Sequence, residues 1–350
     1  MFGLLNETKG VPNARYFFIF GHPEIVYWFG IQFMTVDYDE LFRLLVDTKS
    51  YGLQDEVNLI SIEKYAGVKV PPHYFPIVVD DDLASRRFEY NDVVEKDRVN
   101  IVYMGRLDSD KVYTAVNLLD NLYDSLDGLK ANVHIIGDGN SLRLISPDRY
   151  APKITIYFNS FLFNEKRDDY IIRNADIAVA MGVSSLDVSV VGAPTVIPIV
   201  SKDYIRDDKY VYLFDTSNYN VGWESDNLRM IDCPKHHISE IIDDIMVKGL
   251  KSEYGRKSRE FAINTFSLSN NIESMIGLID GTELTNKKLL HNRTMKLQFF
   301  LFKLYRIITL GKGDYDQYLS FKHRVENVIK MPFIKMIKTT IRWGISKVRG

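Results

Sequence analysis

Hydrophobic runs of strand length alternate with longer helical stretches through the middle of the chain. Between residues 100 and 200 these runs are 100–104, 133–136, 154–158, 177–180 and 195–200. Strands separated by helices are typical of a parallel sheet whose strands are joined by crossover helices. The pattern therefore predicts an α/β fold with a doubly wound parallel sheet in this region.

The regions on either side carry fewer strand signals. Upstream, strands are predicted at 16–20, 57–61 and 75–79, around a helix at 38–46. Downstream, a strand is predicted at 210–214, and amphipathic helices at 238–248 and 253–264. The acidic and polar residues 80–98 indicate a connection between two domains. Three strands in about 80 residues are few for an independent α/β domain, so the first domain is expected to be reduced.

Glycine-containing turns follow three of the predicted strands. They are Gly105, the Gly137-Asp138-Gly139 turn, and Gly182. In a doubly wound sheet the ligand binds outside the carboxyl ends of the strands, where such turns lie. Each glycine alone fits an ordinary tight turn, whereas three in series favour a ligand site.

The segment 175–194 predicts a buried strand, a tight turn at Gly182 and a short helix that Ser184 or Ser185 caps. The unpaired N–H groups and the positive dipole end of such a helix suit a phosphate group. Asp187, one turn into the helix, is a candidate acceptor for hydrogen bonds from a sugar diol. The alternative is that Asp187 only complements the helix dipole and that the serines only cap.

Composition narrows the classes of protein. The length of 350 residues predicts two domains, and the 44 lysines and arginines against 46 carboxylates are typical of a globular protein. Cys233 is the only cysteine, which excludes an internal disulfide and a cysteine-rich zinc site and fits a reducing cytosol. The N-terminal residues lack the pattern of a signal peptide, and no run reaches the ~20 apolar residues that span a bilayer.

Motifs of several other protein classes are absent from the sequence. It contains no Walker A motif, no complete G-x-G-x-x-G and no G-x-S-x-G elbow. His236 and His237 lack a third ligand at metal spacing, so they are predicted to be exposed.

Residues 295–350 differ in charge from the rest of the chain. They carry twelve lysines and arginines and three carboxylates, a net charge of +9, against −11 for residues 1–294. Apolar residues recur at helical spacing between the basic ones: Phe299, Phe302, Leu304, Tyr305, Ile308, Val325, Val328, Ile329, Phe333 and Ile337. Such helices can lie in the plane of an anionic membrane. The alternative is packing against the domain core, with the charges solvated.

Four parts of the sequence together resemble the GT-B fold glycosyltransferases, specifically the retaining family four, or group 1 glycosyl transferases. They are V-N-I-V-Y-M-G-R-L-D-S-D-K, then V-H-I-I-G-D-G, then A-D-I with G-V-S-S-L-D and G-A-P-T-V-I, and finally F-P-I-V-V-D with F-A-I-N-T-F-S. The resemblance covers about residues 16–280, and the order of the motifs is more specific than any one of them. It implies two Rossmann-like domains, the N-terminal one reduced, followed by a basic helical extension. The implied ranges are 1–95 on the acceptor side, 96–280 for the nucleotide-sugar donor, and 281–350 for the tail.

The resemblance also implies roles for particular residues. Arg106 and Lys111 are placed at the donor diphosphate, and His22, in a G-H-P-E turn, faces the transferred sugar as the catalytic candidate. A surface or capping role for His22 is an equal alternative. The other implied substrate-binding residues are Gly105, Gly137, Gly139, Gly182, Ser184, Ser185 and Asp187.

The chain departs from the family pattern in two places. Most members have two glutamates flanking the donor sugar and ribose; here Asp187 takes the second position and the first has no counterpart. The strands and the glycine-rich loop that ordinarily precede the histidine turn are also missing. The resemblance therefore predicts a reading frame that is truncated at its N-terminus.

The implied reaction is transfer of a sugar from a nucleotide diphosphate sugar to an acceptor hydroxyl, in the assembly of a cell-surface polysaccharide. No metal or other cofactor is expected, because cationic side chains and a helix terminus balance the charge on the leaving diphosphate. The expected partners are the nucleotide-sugar donor, a lipid-linked or saccharide acceptor and an anionic membrane surface, and not nucleic acid. The expected location is the cytoplasm, peripheral to the inner face of the cell membrane.

Two alternatives stay open at this point. A catalytically degenerate GT-B module would bind a nucleotide sugar or a partner enzyme without turnover, and the missing glutamate and short front half favour it. A nucleotide-sugar epimerase shares the architecture, but its additional acid and base residues cannot be assigned in this sequence.

Overall fold

The computed structural model describes residues 14–22, 38–85, 93–160, 162–228 and 231–291. The chain divides into two compact units. The first, here called the sheet unit, contains Gln54–Val57 and Tyr74–Met275; the second, the front unit, is drawn from Met1–Leu53, Asn58–His73 and Ile276–Gly350. The domain boundaries at 95 and 280 stay a prediction, and the apolar and basic pattern of residues 295–350 lies outside the described residues.

The front unit contains a small parallel sheet. Its strands β1 (Phe18–Phe20) and β2 (Tyr51–Leu53) are parallel, with Phe18 in register with Tyr51, and helix α1 (Tyr38–Asp47) lies between them in the sequence. The Phe20 and Phe42 rings lie 5.6 Å apart between their centroids, which packs α1 against the strands. Helix α2 (Glu56–Ala66) follows directly.

The elements of the sheet unit are α3 (Asp81–Ser85), β3 (Arg98–Met104), α4 (Val112–Ser125), β4 (Lys130–Ile136), α5 (Pro147–Tyr150), β5 (Ile154–Asn159), α6 (Asn164–Asn174), β6 (Ile177–Ala180), α7 (Val183–Val190), β7 (Thr195–Ile197), β8 (Ile199–Val200), β9 (Val211–Tyr212), β10 (Trp223–Glu224), α8 (Ser225–Leu228), α9 (Ile238–Met246) and α10 (Lys251–Phe266). Helix α11 (Leu268–Asp280) is divided between the two units after Met275, and α12 (Asn286–His291) belongs to the front unit. The sheet unit is built around a six-stranded sheet in the order β5-β4-β3-β6-β7-β9. All pairs in the sheet are parallel except β7 with β9. No helix among the described residues is long and apolar enough to cross a membrane.

Both faces of the sheet are covered. Ile101 and Tyr103 of β3 pack in one apolar cluster with residues of α4 and α9, and Val102 packs in a second cluster with residues of α6 and α7. A strand that is buried on both faces has a continuous apolar sequence instead of an alternating one. This explains why the run at 100–104 predicts a strand, and the predicted α/β fold with a parallel sheet is confirmed.

The strand order reverses at β3. The chain moves from β3 to β4 and β5 on one side, and then crosses to place β6 on the other side of β3. Such a reversal opens a crevice at the carboxyl ends of the two strands, because the connections leave them in opposite directions. The candidate site of this chain is therefore expected at the ends of β3 and β6.

A buried ion pair fixes the opposite, amino-terminal edge of the sheet. The Nζ of Lys251 lies 2.7 Å from Oδ1 of Asp176, and both residues are buried. Oδ2 of Asp176 accepts hydrogen bonds from the backbone N and the side-chain Nδ2 of Asn100, at 2.8 and 2.9 Å. The pair thereby joins the starts of β3, β6 and α10.

One predicted strand is a helix. Residues 57–61 lie in α2, where Val57, Asn58, Ser61 and Ile62 are all buried. This spacing is that of one helical face, because residues four apart lie on the same side of a helix. Asn58 and Ser61 are polar, so the helical period is not visible in the hydrophobic pattern.

Three further predictions need correction. The run at 75–79 forms only an isolated bridge between Val79 and Ser267, which brings the F-P-I-V-V-D and F-A-I-N-T-F-S motifs together. The strand at 195–200 is interrupted at Pro198, which has no N–H to donate, and gives β7 and β8. The strand at 210–214 is shortened to β9, and a 3₁₀ turn follows. The other predicted strands and helices are confirmed with shifts at their ends.

Candidate functional site

The sheet brings the three predicted glycine turns to one edge. Met104, the last residue of β3, is in register with Ile136 of β4 and with Ala180 of β6. Neighbouring strands lie about 4.8 Å apart, so the turns after β4 and β6 are within about 10 Å of each other. We call the ends of β4, β3 and β6, with the turns that follow them, the carboxyl edge.

The turns after β3 and β4 interlock through their backbones. Leu107 N donates to Asp138 O at 3.0 Å, and Ser141 N donates to Leu107 O at 3.0 Å. A Cβ at Gly137 would lie 2.0 Å from Gly105 O, and a Cβ at Gly139 would lie 2.3 Å from the Leu107 carbonyl carbon. Both glycines are therefore required by the close approach of two chain segments, and their substrate-binding role stays a prediction.

A buried hydroxyl lies beneath the turn after β3. The Tyr103 hydroxyl has no hydrogen-bond partner among the described residues, and a Cβ at Gly105 would lie 3.1 Å from it. Burial raises the pKa of Tyr103 above its usual value, and Asp110 raises it further. A larger residue at Gly105 would crowd this hydroxyl.

Helix α7 begins at the carboxyl edge, but not with a serine cap. Its N-cap is Gly182, with φ +59° and ψ −139°, and no side chain caps the helix. Ser185 Oγ donates to Gly182 O at 2.7 Å, and Ser184 follows Val183 in the first turn. The predicted capping role of Ser184 or Ser185 is wrong, because the chain already turns at Gly182 with a backbone conformation that few residues other than glycine adopt.

The start of α7 offers free backbone donors. Within the described part of the chain, the amides of Val183 and Ser184 donate to no acceptor. The Val183 side chain is 56% exposed, which shows that this turn of the helix is open to solvent. These donors and the helix dipole give the edge a partial positive charge.

Arg106 and Lys111 lie together in the turn between β3 and α4. Arg106 is 58% exposed and pairs with two carboxylates, through Nη1 to Asp108 Oδ2 at 3.1 Å and through Nη2 to Asp110 Oδ2 at 3.2 Å. Lys111 is half-buried at the N-cap of α4, and its ammonium makes no hydrogen bond or ion pair with any described residue. Burial lowers the pKa of Lys111, the Arg106 charge lowers it further, and Asp110 opposes both. A half-buried ammonium without a counter-ion is suited to an anionic ligand, which would replace the hydration that burial removes.

Asp187 is part of an ion-pair network that the sequence does not reveal. Its Oδ2 accepts a hydrogen bond from Nη1 of Arg167 at 2.9 Å, and Arg167 also binds Asp168 Oδ1 through Nε and Nη2. Burial raises the pKa of Asp187; Arg167 opposes this rise, and Asp168 adds to it. Asp187 lies one turn beyond the open start of α7, on the same side as Val183.

Some relevant residues were not singled out in the sequence. Arg167 lies in the charged segment N-E-K-R-D-D, a pattern that is typical of a solvated helix face. Its contact with Asp187 is visible only in the folded structure, where α6 and α7 lie close together. Asp108 and Asp110 lie within the quoted G-R-L-D-S-D-K motif, but their negative charge has the same sign as that of the expected diphosphate. Their spacing from Arg106 is the available signal, because residues two and four positions away in a turn can fold back onto it.

The remaining candidate residues belong to other elements of the chain. His22 is in the front unit, exposed and just beyond β1, and its role stays a prediction. His237 is exposed and is the N-cap of α9, where its backbone N donates to Glu240 Oε2 at 2.8 Å. His236 is half-buried, with Nε2 3.8 Å from Asp215, so the prediction of exposure holds for His237 alone. Among the described residues, no three His, Cys, Asp or Glu side chains are grouped as a metal site.

Comparison with known proteins gives similarity to solved structures alone. No protein-family model and no curated protein matches the chain. The crystal structure of TarM matches at 14% identity and TM-score 0.43, over 69% of this chain and 46% of that chain. The lipopolysaccharide outer core galactosyltransferase WaaB, in its apo form, matches at 13% identity and TM-score 0.41, over 66% of this chain and 61% of that chain. HepE of Anabaena, in complex with UDP and glucose, matches at 10% identity and TM-score 0.42, over 68% of this chain and 65% of that chain.

These matches include glycosyltransferases, the class whose motifs the sequence resembles. The chain spans 46 to 65% of the length of the three proteins named. At TM-scores below 0.5 the similarity does not establish a shared activity, so function is argued from the carboxyl edge.

Proposed function

We propose that the carboxyl edge binds the diphosphate of a nucleotide sugar and that the protein transfers the sugar to an acceptor hydroxyl. The observation that carries the proposal is that the Lys111 ammonium is half-buried near Arg106 and forms no ion pair with a carboxylate of the described residues. The open start of α7 lies at the same edge and adds backbone N–H donors. Once Arg106 exchanges Asp108 and Asp110 for the ligand, two cations and a helix N-terminus face the diphosphate.

The chemistry that these groups support is departure of a nucleoside diphosphate. The bond between the anomeric carbon and the β-phosphate oxygen breaks, and its electron pair stays on that oxygen. The acceptor oxygen bonds to the anomeric carbon, and its proton passes to the departing phosphate. Arg106, Lys111 and the α7 amides stabilise the negative charge that develops, which is the role that a divalent metal has in other transferases. Retention of configuration and independence from metal are parts of the proposal that follow from the motif resemblance.

Binding without turnover is the second candidate function. The M-G-V-S-S-L stretch before Asp187 contains no carboxylate, so it supplies no acidic contact to the donor sugar. A module of this kind would keep the diphosphate site and lose the transfer step.

A donor assay separates the two functions. Purified protein is first tested for a thermal shift with uridine, guanosine and thymidine diphosphate sugars, with and without EDTA. The sugar that stabilises it is then supplied in labelled form, and release of the nucleoside diphosphate is followed. Stabilisation with release in EDTA supports transfer; stabilisation without release supports the binding module; no stabilisation by any donor overturns the proposal.

Attachment to a membrane is proposed for the basic residues 295–350. Their charge of +9 and their apolar residues at helical spacing support binding to an anionic surface at the inner face of the cell membrane. This location suits a lipid-linked glycan acceptor in surface-polysaccharide assembly. Removal of residues 295–350 is expected to abolish sedimentation with anionic vesicles, and unchanged sedimentation would refute the attachment.

A further inference from the structure

The carboxylate of Asp187 has one oxygen that is bound and one that is not. Oδ2 accepts from Arg167 Nη1 at 2.9 Å, whereas Oδ1 makes no hydrogen bond or ion pair with the residues that the structure describes. The Asp187 side chain is 23% exposed, so a ligand on the open side of α7 can reach it. Arg167, at 14% exposed, is more deeply buried than Asp187.

Arg167 is itself held in one orientation. Its Nε and Nη2 bind Oδ1 of Asp168, at 2.9 and 2.8 Å, and the Asp168 side chain is almost fully buried. This pairing uses one side of the planar guanidinium and directs Nη1 at Asp187. A guanidinium that is held at two of its nitrogens has little freedom to rotate. A lysine ammonium in the same place would rotate freely.

Without Arg167, the pKa of Asp187 would rise further above its usual value. Burial raises its pKa, Asp168 raises it further, and Arg167 is the group that lowers it. Arg259 of α10 donates a hydrogen bond to the carbonyl of Val190, the last residue of α7, at the end of that helix away from Val183. The ionisation of Asp187 therefore depends on α6, through Arg167 against Asp168.

We propose that Arg167 is a positioning residue of the nucleotide site, which holds the Asp187 carboxylate so that Oδ1 accepts hydrogen bonds from the ribose hydroxyls of the bound nucleotide. The inference rests on the proposed function, because it needs a nucleoside diphosphate whose phosphates lie at the start of α7. Asp187 lies four residues beyond Val183, about 6 Å further along the helix axis, which suits the ribose next to the first phosphate. Arg167 acts through Asp187 and does not touch the ligand.

The test compares ribose with deoxyribose ligands. Calorimetry gives the ratio of affinities for a nucleoside diphosphate and its 2′-deoxy counterpart, for the uridine, guanosine and adenosine pairs, at pH 5.5 and 8.0. Wild type is expected to prefer the ribose form about tenfold, the usual range for a hydrogen bond to a charged group. Arg167→Gln is expected to lower the ratio, and to lower it more at pH 5.5 than at pH 8.0, because loss of the guanidinium raises the pKa of Asp187 and the neutral carboxyl is more populated at the lower pH. Arg167→Lys is expected to give an intermediate ratio at both values.

Two controls keep structural damage apart from lost positioning. Asp187→Asn should itself lose the preference, and adding Arg167→Gln to it should change the ratio no further. A ¹³C carboxyl titration of Asp187, assigned by Asp187→Asn, should move to higher pH in Arg167→Gln without any ligand.

The outcomes separate this inference from the proposed function. Diphosphates that bind with no ribose preference in wild type, or a preference that Arg167→Gln retains at both pH values, would overturn the inference and leave the diphosphate site standing. A failure of every nucleoside diphosphate to bind wild type would overturn both.

Discussion

The guanidinium of Arg106 lies against the carboxylate of Asp108, with Nη1 and Oδ2 3.1 Å apart. A second nitrogen binds Asp110 at 3.2 Å, so the cation that is proposed to hold a diphosphate is shared between two anions of the same turn. Lys111, the next residue, has no such partner among the described residues. Binding of the proposed diphosphate at this turn would therefore replace the two carboxylates at Arg106 with phosphate oxygens and would add an anion at Lys111.

Removal of a competing carboxylate should strengthen diphosphate binding. Asp110→Asn is expected to raise the affinity for a nucleoside diphosphate up to about fivefold, because an exposed ion pair of this kind is worth at most about 1 kcal/mol. Calorimetry with uridine and guanosine diphosphates measures the change. The matched control is Asp169→Asn, whose carboxylate pairs with exposed Arg173 on α6. A weaker affinity in Asp110→Asn would show that Arg106 does not exchange partners.

Replacement of Lys111 should stabilise the ligand-free protein. Folding lowers the pKa of Lys111, so the unfolded chain binds more protons and the stability of wild type rises as the pH increases toward the ordinary lysine value of 10.5. Lys111→Met is therefore expected to be more stable than wild type at pH 7, and this advantage should shrink as the pH rises toward 10.5. Urea unfolding at pH 7, 9 and 10 gives the comparison. A variant that is less stable than wild type at pH 7 would mean that the ammonium has a partner.

Any other residue at Gly182 should destabilise the protein, although there is room for a side chain at this position. No atom lies within 4 Å of a Cβ placed there, so a clash is not the obstacle, but its φ of +59° is strained for other residues. Gly182→Ala is expected to cost about 1 to 3 kcal/mol of unfolding free energy. Gly277→Ala, also in open space but inside α11 without a positive φ, should instead add about 0.5 to 1 kcal/mol. Equal effects at the two positions would contradict the strained turn.

The ion pair at the amino-terminal edge should matter for stability alone. Lys251→Met leaves the buried Asp176 carboxylate without its cation and is expected to cost about 3 to 5 kcal/mol. Arg256→Met on the same helix breaks an exposed pair with Glu260 and should cost less than about 1 kcal/mol. Thermal and urea unfolding of the two variants provide the measurement. A small effect at Lys251 would show that water reaches Asp176.

The sheet could be predicted from the sequence because its strands are buried on both faces. The runs at 100–104 and 177–180 are continuously apolar, and each is followed by a glycine turn. The helix at 56–66 was missed because Asn58 and Ser61, both polar, occupy its buried face. Local sequence shows hydrophobicity, whereas burial of these two residues depends on packing.

The site could be predicted in part for the same reason. The G-R-L motif and the turn at Gly182 indicate backbone geometry that a short segment determines, and the sheet brings them to one edge. The contact between Arg167 and Asp187 joins two different helices through residues that are 20 positions apart in sequence. No local pattern contains this contact, so only the packed structure shows it.

The diphosphate contact itself is tested most directly by comparing ligands with and without phosphates. Calorimetry is carried out with a nucleoside diphosphate and the matching nucleoside, on wild type, Arg106→Ala and Lys111→Ala, with Arg173→Ala and Lys130→Ala as exposed controls. Each site variant is expected to lose at least about tenfold in affinity for the diphosphate and less than about twofold for the nucleoside, because each removes a charge-assisted contact to phosphate. An equal loss for both ligands, or an unchanged affinity for the diphosphate, would contradict the site.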